Sequence, residues 1–481
     1  MKILFVGNDP GEIGGVSNYT RPLSITMKNL GHEVYYLYSG ADHCRYNLFF
    51  KPYLKIYRNM FPFECAEIIN SINFPYNYGY PELDIASRGM DKEITKYIVR
   101  IKPDIIHIHS RLGLPASINE IGQRYGAVVL NTIHVYGYIC QKRVMIDYDG
   151  NPCLGPDDLV KCAICTGTFD YKKERLNRMA INLKKYIKEK YPSLPKKLEG
   201  IRGKKKNRGE LFPAKDNGRE FQGKRYKNVT SIAEGLKRRL AYCVDVLNRY
   251  SDCTICVSSD VRNTLMRYGI EGHKLMVQHI GSTIAEKQTV NMREPADPLV
   301  IGNIGGVNYY KGTHVLIDAL AKVRNKNFVV KIFGKYQAEY IDSLRARSKG
   351  FPVEFTGRYR PEDLPEILRQ IDIMVLPSIC NDTAPQTIFE SFSGGVPIIA
   401  SNIGGFPDFV RHGLNGFLFD PGNSDDLANK IDLVLDAPGR IKDFRENVPK
   451  LKTIPDDVKE LIELYSSLLA LRHKGHNPAT G

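Results

Sequence analysis

Apolar runs of three to six residues, separated by stretches with a helical period, occur twice along this 481-residue chain. In the first half, Ile3–Val6, Glu33–Tyr38, Asp104–Ile108 and Val128–Ile133 are rich in β-branched and aromatic residues and read as strands. Between them, Val16–Leu30, Asp91–Ile101 and Pro115–Tyr125 repeat apolar positions every three or four residues and predict helices. The pattern restarts at Leu299–Ile304, with a helix at Thr313–Arg324 and strands at Phe328–Phe333, Val353–Phe355, Asp372–Leu376 and Pro397–Ala400. Alternating strands and helices predict parallel βαβ units. Two doubly wound α/β sheets across a cleft are therefore expected, over residues 1–290 and 298–445. The polar segment Glu286–Pro298 joins them, and residues 446–481 supply a final helix returning to the first domain, then a flexible tail.

Two irregular blocks at 140–228 interrupt the first half. Cys140, Cys153, Cys162 and Cys165 have the spacing C-x12-C-x8-C-x2-C, with Gly150, Pro152, Gly155 and Pro156 supplying turns. A close CxxC plus two more cysteines suits a four-cysteine structural zinc site, whose binding energy, on the order of 10 kcal/mol, replaces a core. An iron–sulfur cluster or plain thiols are the alternatives. Cys253 and Cys256 lie in a strand-like run, where residues three apart face opposite sides, and are expected in the core.

The formal charge of +15 is concentrated in one place. Residues 172–227 hold twenty Lys or Arg against six Asp or Glu, while the rest of the chain is near neutral. A helix at Tyr171–Glu189 is expected there, then a disordered Gly200–Gly223. Such a patch implies an anionic partner, and a membrane surface fits it. Nucleic acid is disfavoured, because no zinc-finger spacing or RNA-binding aromatic motif appears. The start, MKILFVGNDPG, lacks a signal peptide's apolar length, and no run suffices to span a bilayer. A cytoplasmic location is expected, with peripheral attachment at the inner membrane face.

The segment Cys380–Pro407, CNDTAPQTIFESFSGGVPIIASNIGGFP, carries the sharpest chemistry. Pro385 suits the first position of a helix. The N–H groups of Gln386 and Thr387 then point at whatever precedes them, an anion site worth about 0.3–2 kcal/mol per charge. Asp382 and Glu390 flank that point with seven residues between them. A phosphate with hydroxyl-bearing groups on either side, as in a sugar nucleotide, matches this layout. Lys311, in the loop Gly305-Gly306-Val307-Asn308-Tyr309-Tyr310-Lys311-Gly312, offers a point charge to a diphosphate. Gly7, Gly11, Gly14 and Gly15 make a glycine-rich strand-to-helix turn without the spacing of a dinucleotide fingerprint. A tight turn alone would also explain them. His134 ends the strand VVLNTIH, beside His107 and His109 of IIHIHS, giving a polar rim at the carboxyl edge where parallel sheets bind ligands.

Taken together, these residues resemble the family-4 retaining glycosyltransferases of GT-B fold over nearly the whole chain. Gly14-Gly15-Val16 is similar to the family's GG-[VI] turn, and TIH to its histidine motif. Ser258–Ser259 and Gly281 are similar to the end of its first domain. Lys311-Gly312 resembles its donor lysine, and Asp382–Glu390 its E-x7-E pair, followed by GGVPIIAS and Ile-Gly-Gly-Phe-Pro. The run HVYGYIC…GNPCLGPDD…CAIC is similar to a subgroup with a cysteine-rich insertion.

The resemblance implies a sugar moved from a nucleotide-diphospho-sugar to a glycan or lipid-linked glycan, with retention by front-face displacement and no divalent metal. Glu390 would hold the donor ribose and Asp382 the transferred sugar. Gly14, Gly15, Gly305, Lys311, Gln386 and Thr387 would surround the diphosphate, and His134 would assist near the acceptor. Two positions depart from the family. The first acid is Asp, one methylene shorter, and Gly306 stands where a second cation is usual, a charge that Lys335 or Arg358 would have to supply. A catalytically impaired GT-B scaffold binding an anionic partner is the alternative, and a GT-B epimerase a weaker one.

Overall fold

The protein is described by a computed structural model covering residues 1–12, 14–40, 51–71, 80–167, 176, 180, 229–289 and 293–475. The basic segment 172–227, with its expected helix and its glycine-bounded core, thus lies outside the described residues apart from Leu176 and Ala180. Residues 476–481 do so as well.

The first sheet contains β1 (Lys2–Gly7), β2 (Glu33–Ser39), β3 (Tyr53–Tyr57), β4 (Glu64–Ile69), β5 (Ile105–Ile108), β6 (Val128–Ile133), β7 (Cys253–Cys256) and β8 (Leu275–Val277). Their order is β3-β4-β2-β1-β5-β6-β7-β8. All neighbours run parallel except the edge pair β3–β4. The second sheet contains β9 (Leu299–Ile304), β10 (Phe328–Phe333), β11 (Val353–Gly357), β12 (Ile373–Leu376), β13 (Ile398–Ser401) and β14 (Gly416–Phe419), in the order β11-β10-β9-β12-β13-β14. Helices on both faces bury the central strands completely, which is why those strands read as continuous apolar runs. Cys253 and Cys256 are both in this core.

Four strands, β3, β4, the three-residue β8 and β14, escape the sequence pattern. β3 and β4 form an antiparallel hairpin with no helix between, and their Glu64 and Glu67 interrupt the apolar signal. Each acid has a partner: Glu64 accepts from Tyr97 Oη at 3.1 Å, and Glu67 from Tyr57 Oη at 2.6 Å. β14 has only four residues. The helix Ile454–Gly475 lies against the first domain, contacting helix Gly15–Asn29 and β6. Its Asp457 is 1% exposed and serves as a hub. It accepts from Tyr19 Oη (2.8 Å), Gln278 Nε2 (3.0 Å), Gly281 N (2.7 Å) and Lys452 Nζ (2.6 Å). Among the described residues, no helix is long and apolar enough to cross a membrane.

Candidate functional site

In the second sheet the strand order reverses between β9 and β12, so the loops leaving these strands part and open a crevice at their carboxyl ends. The loop after β9 carries Lys311. Asn308 Oδ1 accepts the Lys311 N–H at 3.1 Å and closes a short turn. Gly312 follows at φ +72°, and a Cβ there would stand 1.7 Å from the Pro377 carbonyl oxygen. Only glycine permits that approach, which fastens the lysine loop to the loop after β12. Ile379 N and Ser378 Oγ complete the attachment, both donating to Tyr310 O, at 3.0 and 3.3 Å. Gly312→Ala is therefore expected to lower the unfolding temperature and weaken any nucleotide response. The left-handed backbone alone costs about 1–2 kcal/mol for a residue with a Cβ. Thermal unfolding with and without nucleoside diphosphate checks both effects.

Lys311 Nζ forms an ion pair with Asp382. Burial opposes the lysine's charge, but Asp382 outweighs it and the net pKa shift is upward. Glu390 lies on the helix Gln386–Ser393 and accepts from Tyr359 Oη at 3.2 Å. Burial lifts its pKa, while the Tyr359 bond and the Lys311 charge pull the other way. The helix begins one residue later than the sequence suggests: Pro385 is the extended residue before it, and Gln386 is the first helical one. Gly305, at φ +115°, lies against the helix start, where an added Cβ would be 3.1 Å from Thr387 Cγ2. Behind the acid, Gly405 N donates to Asp382 O at 2.8 Å, and Gly404 and Gly405 leave no room for a Cβ. Lys311, Asp382, Glu390, Gly305, Gln386 and Thr387 thus share one wall.

Gly306 is exposed on this loop. Val307 N donates to Lys335 O at 3.0 Å, and Gly334 N to Gly357 O at 2.7 Å. The ends of β9, β10 and β11 therefore run side by side, with Lys335 and Arg358 on the two neighbouring ends.

The opposite wall comes from the first sheet, whose order reverses between β1 and β5. Gly14 precedes the helix Gly15–Asn29, and a Cβ at Gly14 or Gly15 would meet nothing within 4 Å. The mouth there is open. The walls meet where Thr383 Oγ1, next to Asp382, donates to His134 O at 2.6 Å.

Three histidines cluster near that contact. The His107 and His109 ring centroids are 4.0 Å apart, and His109 Nδ1 lies 3.1 Å from His134 Nε2. His107 is held between Tyr465 Oη (2.5 Å) and Thr132 Oγ1 (2.7 Å). Burial pushes His107 down to about 3 and His134 down to about 4, with Asp457 partly opposing the latter. Burial, reinforced by the other two rings, holds His109 well below the usual range. All three are neutral at pH 7.

Unfolded histidine titrates near 6.5, so below that pH the unfolded chain binds protons that the folded one refuses. Stability is therefore full above about pH 6.5 and falls as pH drops toward 4. Each unit of pKa depression contributes about 1.4 kcal/mol of that loss once both values are passed. Urea unfolding at pH 7.0, 6.0 and 5.0 should show this slope, and His107→Gln should reduce it by one proton.

The four insertion cysteines occupy one neighbourhood. Burial, then Cys140, Cys153 and Cys165, push the Cys162 thiol up to about 12. Gly155 N donates to Cys153 Sγ at 3.4 Å. Among the described residues, however, no three His, Cys, Asp or Glu side chains are arranged to hold a metal ion.

Sequence reasoning missed Tyr359, Tyr19, Asp457 and Tyr465. Tyr359 follows the end of β11, so the strand-end rule that drew attention to Arg358 could have found it. The other three are joined only by long-range packing and leave no local signal.

Two Rossmann-like domains with their switch points facing each other define the GT-B fold. Residues 285–451 match the family model of glycosyl transferases group 1. The chain is similar to D-inositol 3-phosphate glycosyltransferase of Corynebacterium urealyticum, 25% identical over 46% of this chain and 58% of the relative. A 30% identical stretch of the sulfoquinovosyl transferase of Arabidopsis thaliana covers 30% of this chain and 27% of that protein. The matched regions thus span roughly a quarter to three-fifths of these relatives' lengths. Among solved structures, sucrose-phosphate synthase of Thermosynechococcus elongatus aligns with TM-score 0.61 and 17% identity, covering 98% of this chain and 99% of that one. The Anabaena protein HepE in complex with UDP aligns with TM-score 0.58 and 15% identity, covering 97% and 100%.

Proposed function

We propose that this chain is a retaining glycosyltransferase that moves a sugar from a nucleotide-diphospho-sugar to a glycan or lipid-linked acceptor. The observation that carries this reading is the single wall made by Lys311, Asp382, Glu390 and the start of helix Gln386–Ser393, facing His134 across the cleft. The family match over that domain and the UDP bound to the structural neighbour HepE support it.

In this reading Glu390, fixed by Tyr359, holds the ribose hydroxyls. Lys311 and the Gln386 and Thr387 N–H groups stabilise charge growing on the departing diphosphate. Lys335 or Arg358 adds the second cation that Gly306 lacks. Asp382 orients the sugar. The bond from C1 to the diphosphate breaks as the acceptor oxygen attacks the same face, and the acceptor proton passes to the departing phosphate oxygen. His134 is neutral and borders the acceptor side. Incubation with nucleotide sugars and proton NMR of the product tests this. Release of nucleoside diphosphate with a retained anomer supports it, and an inverted anomer removes the front-face step.

Two accessory roles belong to the same reading. The four thiols would close around a structural zinc, consistent with their shared neighbourhood and the N–H donated to Cys153. Metal analysis of the purified protein should give one zinc per chain, lost in a Cys162→Ser, Cys165→Ser double variant. The charge of 172–227 would hold the enzyme on anionic headgroups, so unchanged liposome binding after deleting 200–223 would exclude this.

A further inference from the structure

The two domains touch along one side of the cleft, and several of the contacts converge on the loop that carries Asp382. Asp408 stands on the short helix Phe406–Phe409, which follows the two glycines pressed against the Asp382 and Thr383 carbonyls. Its Oδ2 accepts the N–H of Ser259 at 2.7 Å. Ser259 is the first residue of the helix Ser259–Arg267 in the first domain, where unpaired N–H groups favour a negative charge. The Asp408 side chain is 9% exposed. Beside it the His279 ring packs on Phe409, with centroids 4.6 Å apart, and His279 Nδ1 donates to Val257 O at 3.1 Å. A histidine and a helix end of the first domain thus enclose a carboxylate of the second.

The same seam holds both neighbours of Asp382. Thr383 Oγ1 donates to His134 O at 2.6 Å, and the side chain of Asn381 is hydrogen-bonded to Tyr136. Tyr136 is fixed from its own domain, because its hydroxyl donates to Asp260 Oδ2 at 2.5 Å. Asp260 follows Ser259, so the helix end that grips Asp408 also grips the tyrosine that meets Asn381. The like charge of Asp260 opposes Asp408 there, and the N–H bond and the helix end outweigh it. Gly405 N, three residues before Asp408, donates to Asp382 O at 2.8 Å. Asp382 is therefore tied on its two sides to His134 and Tyr136, and from behind to the backbone that leads to Asp408.

We propose that Asp408 is a positioning residue for sugar transfer: by capping a helix of the other domain, it fixes the orientation of Asp382 toward the transferred sugar. The inference rests on the glycosyltransferase reading and deepens it. Asp408 acts through the backbone of Gly405 and the loop Asn381–Thr383, and not on the reacting atoms. In that reading the donor's diphosphate and ribose are held by Lys311, the helix start and Glu390, all within the second domain. Breaking the contact therefore leaves donor binding in place and slows the transfer step, because misplacing an orienting group by about 1 Å costs as much as 10²-fold.

Three single variants of the full chain test this. Asp408→Ala removes the accepting oxygen. Ser259→Pro removes the donated N–H, and proline suits the first position of a helix, so the helix survives. Asp408→Asn keeps an oxygen that accepts the bond. Hydrogen exchange over residues 380–384 should be at least about tenfold faster in Asp408→Ala and Ser259→Pro, and native-like in Asp408→Asn. Turnover is read as nucleoside diphosphate released from UDP-glucose, GDP-mannose or ADP-glucose, whichever the native chain consumes. Its kcat should fall at least about tenfold in Asp408→Ala and Ser259→Pro, with the donor KM changed less than about twofold. Asp408→Ala combined with Asp382→Asn should lose no more than Asp382→Asn alone, because the first residue acts through the second. Native exchange or native turnover in Asp408→Ala, equal impairment in Asp408→Asn, or multiplied losses in the double variant overturn the role of Asp408 and leave the donor reading intact. Failure of every nucleoside diphosphate to raise the native unfolding temperature overturns the reading beneath it.

Discussion

Replacing Lys311 by Met should cut the turnover of sugar transfer by about 10²–10³-fold, the usual cost of removing one group that meets charge growing in a transition state. The donor's apparent affinity should fall much less, because in the proposed reading Glu390, fixed by Tyr359, would still hold the ribose. The lysine's position is over-determined by Asn308, Gly312 and the contacts with Pro377 and Tyr310. Without ligand it spends its charge on Asp382. Donor binding therefore places a diphosphate and a carboxylate on the same cation. Asp382→Asn should weaken transfer too, and the double variant should lose less than the product of the two single losses, because the pair acts as a unit. Steady-state kinetics on the three variants checks this. Equal, independent losses would mean the ion pair is incidental.

The second large effect is on stability. Asp457→Ala should destabilise the first domain by about 3–5 kcal/mol, as expected when a buried charge loses its partner. Four donors converge on this carboxylate, and Lys452 keeps only Glu460 as a charged partner when it goes. In a domain of this size such a loss lowers the midpoint of its transition by roughly 10 °C. Asp457→Asn keeps the shape and removes the charge, and should fall between. Differential scanning calorimetry reads both. Asp457 is also the charge that opposes the depression of His134, so the Ala variant should keep the full loss of stability between pH 6.5 and 5.

The sheets were legible because their central strands are buried on both faces and so consist of little but apolar residues. The wall around Lys311 was legible for a related reason. Lys311, Asp382 and Glu390 sit just after apolar strands or on the helix that follows, and parallel sheets bind ligands at that edge. The hairpin β3–β4 was hidden because its two glutamates break the apolar signal, and their partners, Tyr57 across the hairpin and Tyr97 on a helix, become apparent only once the chain is folded. Gly312, Gly404 and Gly405 could be recognised as turn residues. That they let one loop press against another's carbonyl oxygens required the fold. The contact at Asp408 was illegible for the same reason: Ser259 and Asp408 lie far apart in the chain and meet only through tertiary packing.

On this reading the wall around Lys311 and helix Gln386–Ser393 receives a nucleoside diphosphate. Thermal unfolding of the full chain with UDP, GDP and ADP, in the native protein and in Lys311→Met and Glu390→Ala, is the decisive experiment. One nucleotide should raise the unfolding temperature of the native protein, because a ligand that binds only the folded state stabilises it. Both substitutions should reduce that rise. No rise with any nucleotide, or a rise of the same size in all three proteins, would contradict the account.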